Sequence, residues 1–194
     1  MVVWLHFGKI QVVNQPEIVP NASLLVVCNH ISWWDGMLLY EINRRYFKKR
    51  FHALAGIQQL KKSVVINLIG VFGLDKTSVK DLWRSLKYSA SLLDSPKNML
   101  LIYPQGQIQS PLNPKFTVNM GVYKIWLETK ADTQMLFVFL IIEHDAQKPT
   151  CYFYSQNSHL SKTSDFKTFE NAYLSFVENA KNEHITTIEK KHAV

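Results

Sequence analysis

Val26-Val-Cys-Asn-His-Ile-Ser-Trp-Trp-Asp-Gly36 passes from a wholly apolar run into a segment whose apolar side chains fall at helical spacing. Residues 24–29 read as a buried strand, rich in large aliphatic side chains and set off upstream by Pro16 and Pro20. Over residues 34–46 the positions Met37, Leu38, Ile42 and Tyr46 recur with the period of an amphipathic helix. The switch from strand to helix therefore falls on residues 30–35, with a histidine at the strand end and an aspartate in the first helical turn. That spacing lets the two side chains meet. The partial positive charge of a helix start favours the carboxylate, and Ser32 reads as the N-cap or as a hydrogen-bonding loop residue. Asp35 can then accept the proton on one imidazole nitrogen of His30 and leave the other as a general base. A pair of this kind, without a serine or cysteine nucleophile, points to activation of a substrate's own hydroxyl. A serine nucleophile would need its base delivered from elsewhere in the fold. The spacing by itself also suits a strand-end histidine satisfied by local hydrogen bonds.

Working outward, residues 2–13 are rich in β-branched and apolar side chains and read as a strand. A short strand is expected at 51–55, a helix at 58–69, a brief strand at 71–74, and a helix at 79–93 capped by Thr77 or Ser78 and stopped before Pro96. Residues 99–103 form the short continuous apolar run of a strand buried on both faces. The three prolines and one glycine of 103–114 make that stretch a loop. A helix at 118–129, strands at 135–142 and 151–154, and a polar helix from 166 to about 190 complete the chain. Strands alternating with helices predict an α/β fold, a single mixed, mostly parallel sheet flanked by helices. With 194 residues and 47% hydrophobic content, no repeats and no linker, one domain over residues 1–194 is expected.

The chain carries 22 Lys and Arg against 15 Asp and Glu, a formal charge of +7, so a negatively charged partner or substrate suits it. The cations are spread, and no glycine-aromatic RNA-binding signature or helix-turn-helix pattern accompanies them, which argues against a nucleic-acid partner. Cys28 and Cys151 lie in apolar runs and read as buried thiols of a reducing compartment. Neither has a Cys or His at ligand spacing, so no metal site is expected. His6, His52, His144, His159, His184 and His192 show no partner spacing. The N-terminus is too short for a signal-peptide core, and the longest apolar run, 135–142, is far below the roughly 20 residues of a membrane span. Contact with lipid would come from the side. Arg44, Arg45, Lys48, Lys49 and Arg50, with Lys61 and Lys62 in the next amphipathic stretch, read either as a membrane-docking face or as solvated helix ends.

Asn29-His-Ile-Ser-Trp-Trp-Asp35 resembles the first motif, Asn-His-x-Ser-x-x-Asp, of the glycerolipid acyltransferase family that includes bacterial 1-acylglycerol-3-phosphate acyltransferases. Gly70-Val-Phe-Gly-Leu-Asp-Lys76 is similar to the second motif, and Leu101-Ile-Tyr-Pro-Gln-Gly106 to the third, usually Phe-Pro-Glu-Gly-Thr-Arg-Ser. Residues 115–122 look like the Phe-Lys-x-Gly-Val segment found after the third motif. The matches keep the family's order and span roughly residues 24–140. The resemblance implies an acyl-CoA or acyl-carrier-protein donor, a lipid hydroxyl acceptor, no covalent acyl-enzyme and no cofactor. It implies His30 as base and Asp35 as its orienter. Asn29, Ser32 and Lys76, with the Tyr103, Pro104, Gln105 and Gly106 loop, would form the acceptor side of the site. Apart from the resemblance, Trp33 and Trp34, whose indole rings combine apolar area with one donor, read either as lining an acyl or acceptor channel or as core at a helix start.

Two departures bear on the substrate. Gln105 stands where glutamate is usual, and Ile108 where the third motif has arginine. Ile108 offers no fork of donors to a phosphate, which disfavours a lysophosphatidate and favours a neutral hydroxyl. These residues together suit a cytoplasmic acyltransferase peripheral to the membrane. A catalytically inactive lipid-binding protein of the same fold is the alternative.

Overall fold

The computed structural model describes residues 2–56, 70–74, 78–129, 132–144 and 146–192. Helix α1 (Val2–His6) leads into β1 (Lys9–Val12), β2 (Ser23–Cys28), α2 (Asp35–Ile42) with a π-helical turn (Asn43–Phe47), β3 (Arg50–Gly56) and β4 (Val71–Leu74). Then come α3 (Val79–Leu92), β5 (Asn98–Ile102), α4 (Met120–Glu128), β6 (Thr133–Glu143), β7 (Thr150–Asn157) and α5 (Phe166–His192). The strands form one seven-stranded sheet in the order β1-β7-β6-β2-β5-β3-β4. All neighbours are parallel except the β6–β7 hairpin. The molecule is therefore α/β, with a mostly parallel mixed sheet between helices.

Strand β2 lies at the centre of this sheet and each of its six residues is buried. Its side chains alternate. Leu24, Val26 and Cys28 pack with Val3 and Phe7 and with Leu38, Leu39 and Ile42 of α2, while Leu25 and Val27 face Leu86, Ile125 and Phe169 on the other side. Each such buried aliphatic side chain contributes about 1.5–3 kcal/mol, so the two-sided apolar run commits this segment to the sheet's middle. From β2 the chain crosses by α2 to β3 on one side, and from β5 it crosses by α4 to β6 on the other. Right-handed crossovers in opposite directions place α2 and α4 on opposite faces. The crevice outside the carboxyl ends of β2 and β5 is thus a topological switch point, where open α/β sheets bind ligands.

The N-terminal segment departs from the expected strand. Residues 2–6 are helical and only Lys9–Val12 pairs with the sheet, at its edge. Val3 and Phe7, four residues apart, point into the core against α2, while the Trp4 indole donates to Glu41 Oε1 at 3.3 Å. Burial on a helical face outweighs the β propensity of the valines. Helix α2 is also shorter than its periodicity suggests. It loosens into the π turn at buried Asn43, whose amide bonds the backbone of Lys49, and Lys48 adopts the left-handed conformation at φ 55.

The helix at 79–93 is observed as α3, and Ser78 caps it by accepting from the Asp81 N–H at 3.1 Å. The helix expected at 58–69 lies outside the described residues. At Gly70, φ is +87 and a Cβ would stand 2.2 Å from the Phe51 carbonyl, so this motif glycine is required where the chain enters β4 against β3. Both cysteines are free and buried.

Candidate active site

Strand β2 ends at Cys28, and the next residue anchors the loop that leads to α2. Asn29 is fully buried, donating from Nδ2 to the Leu140 carbonyl at 2.8 Å and accepting the Leu140 N–H at 2.7 Å. Its amide continues the β2–β6 pairing one residue past the strand. Both polar atoms are engaged with backbone, so Asn29 sets the position of His30 rather than presenting a group to substrate.

His30 Nδ1 lies 2.8 Å from Asp35 Oδ2. The carboxylate is wholly buried, and it also accepts the N–H groups of Ile31 at 2.7 Å and Ser32 at 3.0 Å and the Ser32 hydroxyl at 2.9 Å. Four donors thus converge on one carboxylate at the start of α2, where the helix end adds its own positive potential. An acceptor this firmly held assigns the proton to Nδ1 of the imidazole and leaves the lone pair on Nε2. None of the hydrogen bonds formed by His30 among the described residues goes to Nε2. Ser32 is not the N-cap. The residue before α2 is Trp34, in helical conformation and without a side-chain cap, and Ser32 Oγ accepts the Trp34 N–H at 3.1 Å.

The backbone of His30 is gripped from the segment after β5. Its N–H donates to Gln105 Oε1 at 2.7 Å, and its carbonyl accepts the Gln109 N–H at 2.8 Å. Tyr103 stacks on the imidazole with centroids 4.1 Å apart and planes 11° apart. Gly106, at φ 70, closes this turn through its N–H to the Tyr103 carbonyl. Asn119, ahead of α4, holds the same loop from behind: its Nδ2 reaches the carbonyls of Pro104 at 2.9 Å and Gln105 at 3.0 Å, and its N–H bonds Pro104 as well. The structure therefore brings His30, Ser32, Asp35, Tyr103, Pro104, Gln105 and Gly106 together. Lys76 lies outside the described residues. No spacing in the sequence marks Asn119 or Gln109; only their hydrogen bonds to a distant loop do.

Burial, together with the Asp35 charge, pushes the Tyr103 phenol well above its ordinary value, so it serves as a flat ring and not as an acid. Burial and the same charge push the Cys28 thiol well up, which keeps it a thiol two residues from His30. Ser32 Oγ is committed to Asp35. Neither side chain is set up as a nucleophile.

A cleft of about 410 Å³ opens beside this cluster, lined by His6, Phe7, Ile31, Ser32, Trp34, Pro111, Ile142, His144 and Pro149. Its size suits a lipid or drug-sized ligand. No Asp, Glu, Lys or Arg is among these lining residues. Trp34 thus faces the cleft, as do His6 and His144, which have no legible spacing in the sequence; Trp33 is 59% exposed outside it.

The cationic stretch after α2 lies elsewhere. Lys49 Nζ donates to the carbonyls of Ala22 and Pro96, which precede β2 and β5, so the cluster sits at the amino end of the sheet, opposite His30. Arg44 and Arg45 both pair with Glu41 at 2.8 Å. Lys61 and Lys62 lie outside the described residues. Among the described residues no helix is long and apolar enough to cross a membrane.

Taken together, these features define an α/β protein with a histidine–aspartate pair at the carboxyl end of its central strand. A family model described as Acyltransferase matches residues 9–137, and the chain belongs to that family. Its reaction class is acyl transfer. A comparison with curated proteins finds no match.

Proposed function

We propose that this protein transfers a fatty acyl group from acyl-CoA or acyl-carrier protein directly to the hydroxyl of a neutral lipid, at the cytoplasmic surface of a membrane. The observation that carries this reading is the 2.8 Å contact of His30 Nδ1 with Asp35, which leaves Nε2 free of that bond on a ring next in sequence to Ile31 and Ser32 of the cleft lining. Nε2 takes the hydroxyl proton as the acceptor oxygen attacks the thioester carbonyl. The buried Asp35 carboxylate offsets the positive charge that appears on the ring. As the tetrahedral intermediate collapses, the C–S bond breaks, and the imidazolium returns the proton to the departing thiolate. No acyl-enzyme and no cofactor enter the sequence. Lys76, in the second motif, is assigned to the acceptor by the family resemblance.

The neutral acceptor is supported by the absence of lysine and arginine from the cleft lining and by Ile108, half exposed where the family's arginine would stand. Gln105 supports it less directly than its neutral amide suggests. It is buried, and its oxygen is spent on the His30 amide, so it shapes the site without offering that oxygen to an acceptor.

Purified protein given palmitoyl-CoA and a panel of monoacylglycerol, glycolipid and lysophosphatidic acid tests this. Expected are product from the neutral acceptors and its loss in His30→Ala. Selectivity for lysophosphatidic acid overturns the neutral acceptor, and a panel with no product, or product unaffected by His30→Ala, leaves the inactive lipid-binding reading in its place.

A further inference from the structure

Asn119 stands at the N-cap of α4 in the extended conformation of a cap, at φ −77 and ψ 139, yet its side chain forms no capping bond. Asparagine at this position ordinarily turns its side-chain oxygen onto the first N–H groups of its own helix. Here the side chain serves a loop 14 and 15 residues away instead. Nδ2 donates to the Pro104 carbonyl at 2.9 Å and to the Gln105 carbonyl at 3.0 Å, and the Asn119 N–H donates to Pro104 at 2.8 Å. One residue thus holds two successive carbonyls of that loop. The same short stretch holds His30 at both ring and backbone. Tyr103, just before it, stacks on the imidazole, and the Gln105 side chain accepts the His30 N–H. Gln105 does not keep this posture through its own bonds, because its Nε2 is buried and without a partner among the described residues. A buried amide left to itself turns to satisfy its donor, so the backbone beneath it has to be fixed from elsewhere. Gly106, Gln107 and Ile108, which follow, are exposed and give little support. The start of α4 is a firmer anchor, since Val122, Ile125 and Trp126 of that helix are buried.

We propose that Asn119 is a positioning residue for acyl transfer: through the backbone of Pro104 and Gln105 it holds the Tyr103 ring and the Gln105 side chain against His30, and so fixes the direction of the imidazole Nε2. The inference rests on the proposed role of His30 as base. That role needs Nε2 within hydrogen-bond reach of the acceptor hydroxyl. A misplacement of about 1 Å that originates away from the chemistry lowers a rate by on the order of 10²-fold. Neither Asn119 nor any of residues 103–106 is among the cleft's lining residues, so the hold bears on the chemical step and not on substrate affinity.

The test compares the full chain with Asn119→Ser and Asn119→Asp. Both substitutes are good helix caps, so α4 keeps its start, but the serine hydroxyl is too short to reach both carbonyls and the aspartate has no side-chain N–H to donate. With palmitoyl-CoA and the acceptor on which wild type is most active, kcat should fall about tenfold or more in each variant while KM for the acceptor stays within about twofold. A capping role would leave kcat unchanged in both. A second readout needs no turnover. The face of Tyr103 shifts the ring protons of His30 upfield in the proton NMR spectrum, the resonance being assigned by its absence in His30→Ala, and Asn119→Ser should lose most of that displacement. A kcat within about threefold of wild type in both variants, a loss carried by KM, or a His30 resonance that does not move overturns the proposal. Loss of the wild-type circular dichroism spectrum in both variants overturns it too, since the residue would then hold the fold and not the ring. Wild type that transfers no acyl group, yet whose His30 resonance moves in Asn119→Ser, sinks the proposed reaction alone. His30-dependent transfer indifferent to Asn119 sinks the positioning role alone.

Discussion

The backbone N–H of His30 donates to Gln105 Oε1 at 2.7 Å, joining two residues 75 positions apart and fixing the catalytic candidate from the neighbouring strand's loop. Gln105→Leu would leave that N–H without its partner. The expected cost is about 1–3 kcal/mol of stability, read as a lower midpoint in urea unfolding. A midpoint equal to wild type would mean that the contact does not hold the loop.

Asp35 is expected to be needed for chemistry more than for the ring's presence. In Asp35→Asn one acceptor oxygen is lost, and the amide can donate to His30 Nδ1, which selects the wrong tautomer for a base at Nε2. Acyl transfer should fall by on the order of 10²–10⁴-fold, measured as free CoA released in the presence of a lipid hydroxyl. A folded variant with a rate within tenfold of wild type would remove the carboxylate from the mechanism.

Tyr103 offers the opposite case. Its hydroxyl is buried with no hydrogen-bond partner among the described residues, while its ring stacks on His30. Tyr103→Phe keeps the stack and deletes the orphaned group, so stability should be unchanged or raised by up to about 1 kcal/mol with activity retained. Tyr103→Ala, which removes the ring, should lower the transfer rate. Equal losses in both variants would show that the hydroxyl, and not the ring face, matters.

Glu41 sets an acid limit. Its bonds to Arg44, with those to Arg45 and Trp4, outweigh burial and hold its carboxyl down from 4.5 to about 2. A depressed folded-state pKa gives stability that is complete above the unfolded value and is lost as pH falls through the folded one. Glu41→Gln should therefore cost about 1–2 kcal/mol at pH 7, the arginines being largely in water. That difference should shrink as urea titrations move from pH 5 toward pH 2. A gap that stays constant with pH would assign the effect to packing.

A further buried connection shows why spacing alone leaves some partners unseen. His184 on α5 bonds the Tyr154 hydroxyl through Nδ1 and Glu143 through Nε2, both at 2.9 Å, and so fastens the C-terminal helix to the β6–β7 hairpin. It lies 30 and 41 residues from them, beyond any local pattern. The fold was legible where local physics decides: the two-faced apolar run of 24–29, the helical spacing after it, and the short buried strand before Tyr103. It was not legible at residues 2–6, where β-branched side chains form a helix because Val3 and Phe7 find the core on that face.

The meeting of His30 and Asp35 was allowed by their five-residue spacing across a strand-to-helix turn, and the ordered motifs around them favoured it over a histidine satisfied by other local bonds. Which loop would grip the histidine, that Asn29 would be spent on Leu140, and that the basic cluster would lie at the opposite end from the cleft were settled by the sheet order. Those facts depend on which strands become neighbours, and hydrophobic periodicity carries the direction in which each residue faces but not the strand it will lie beside.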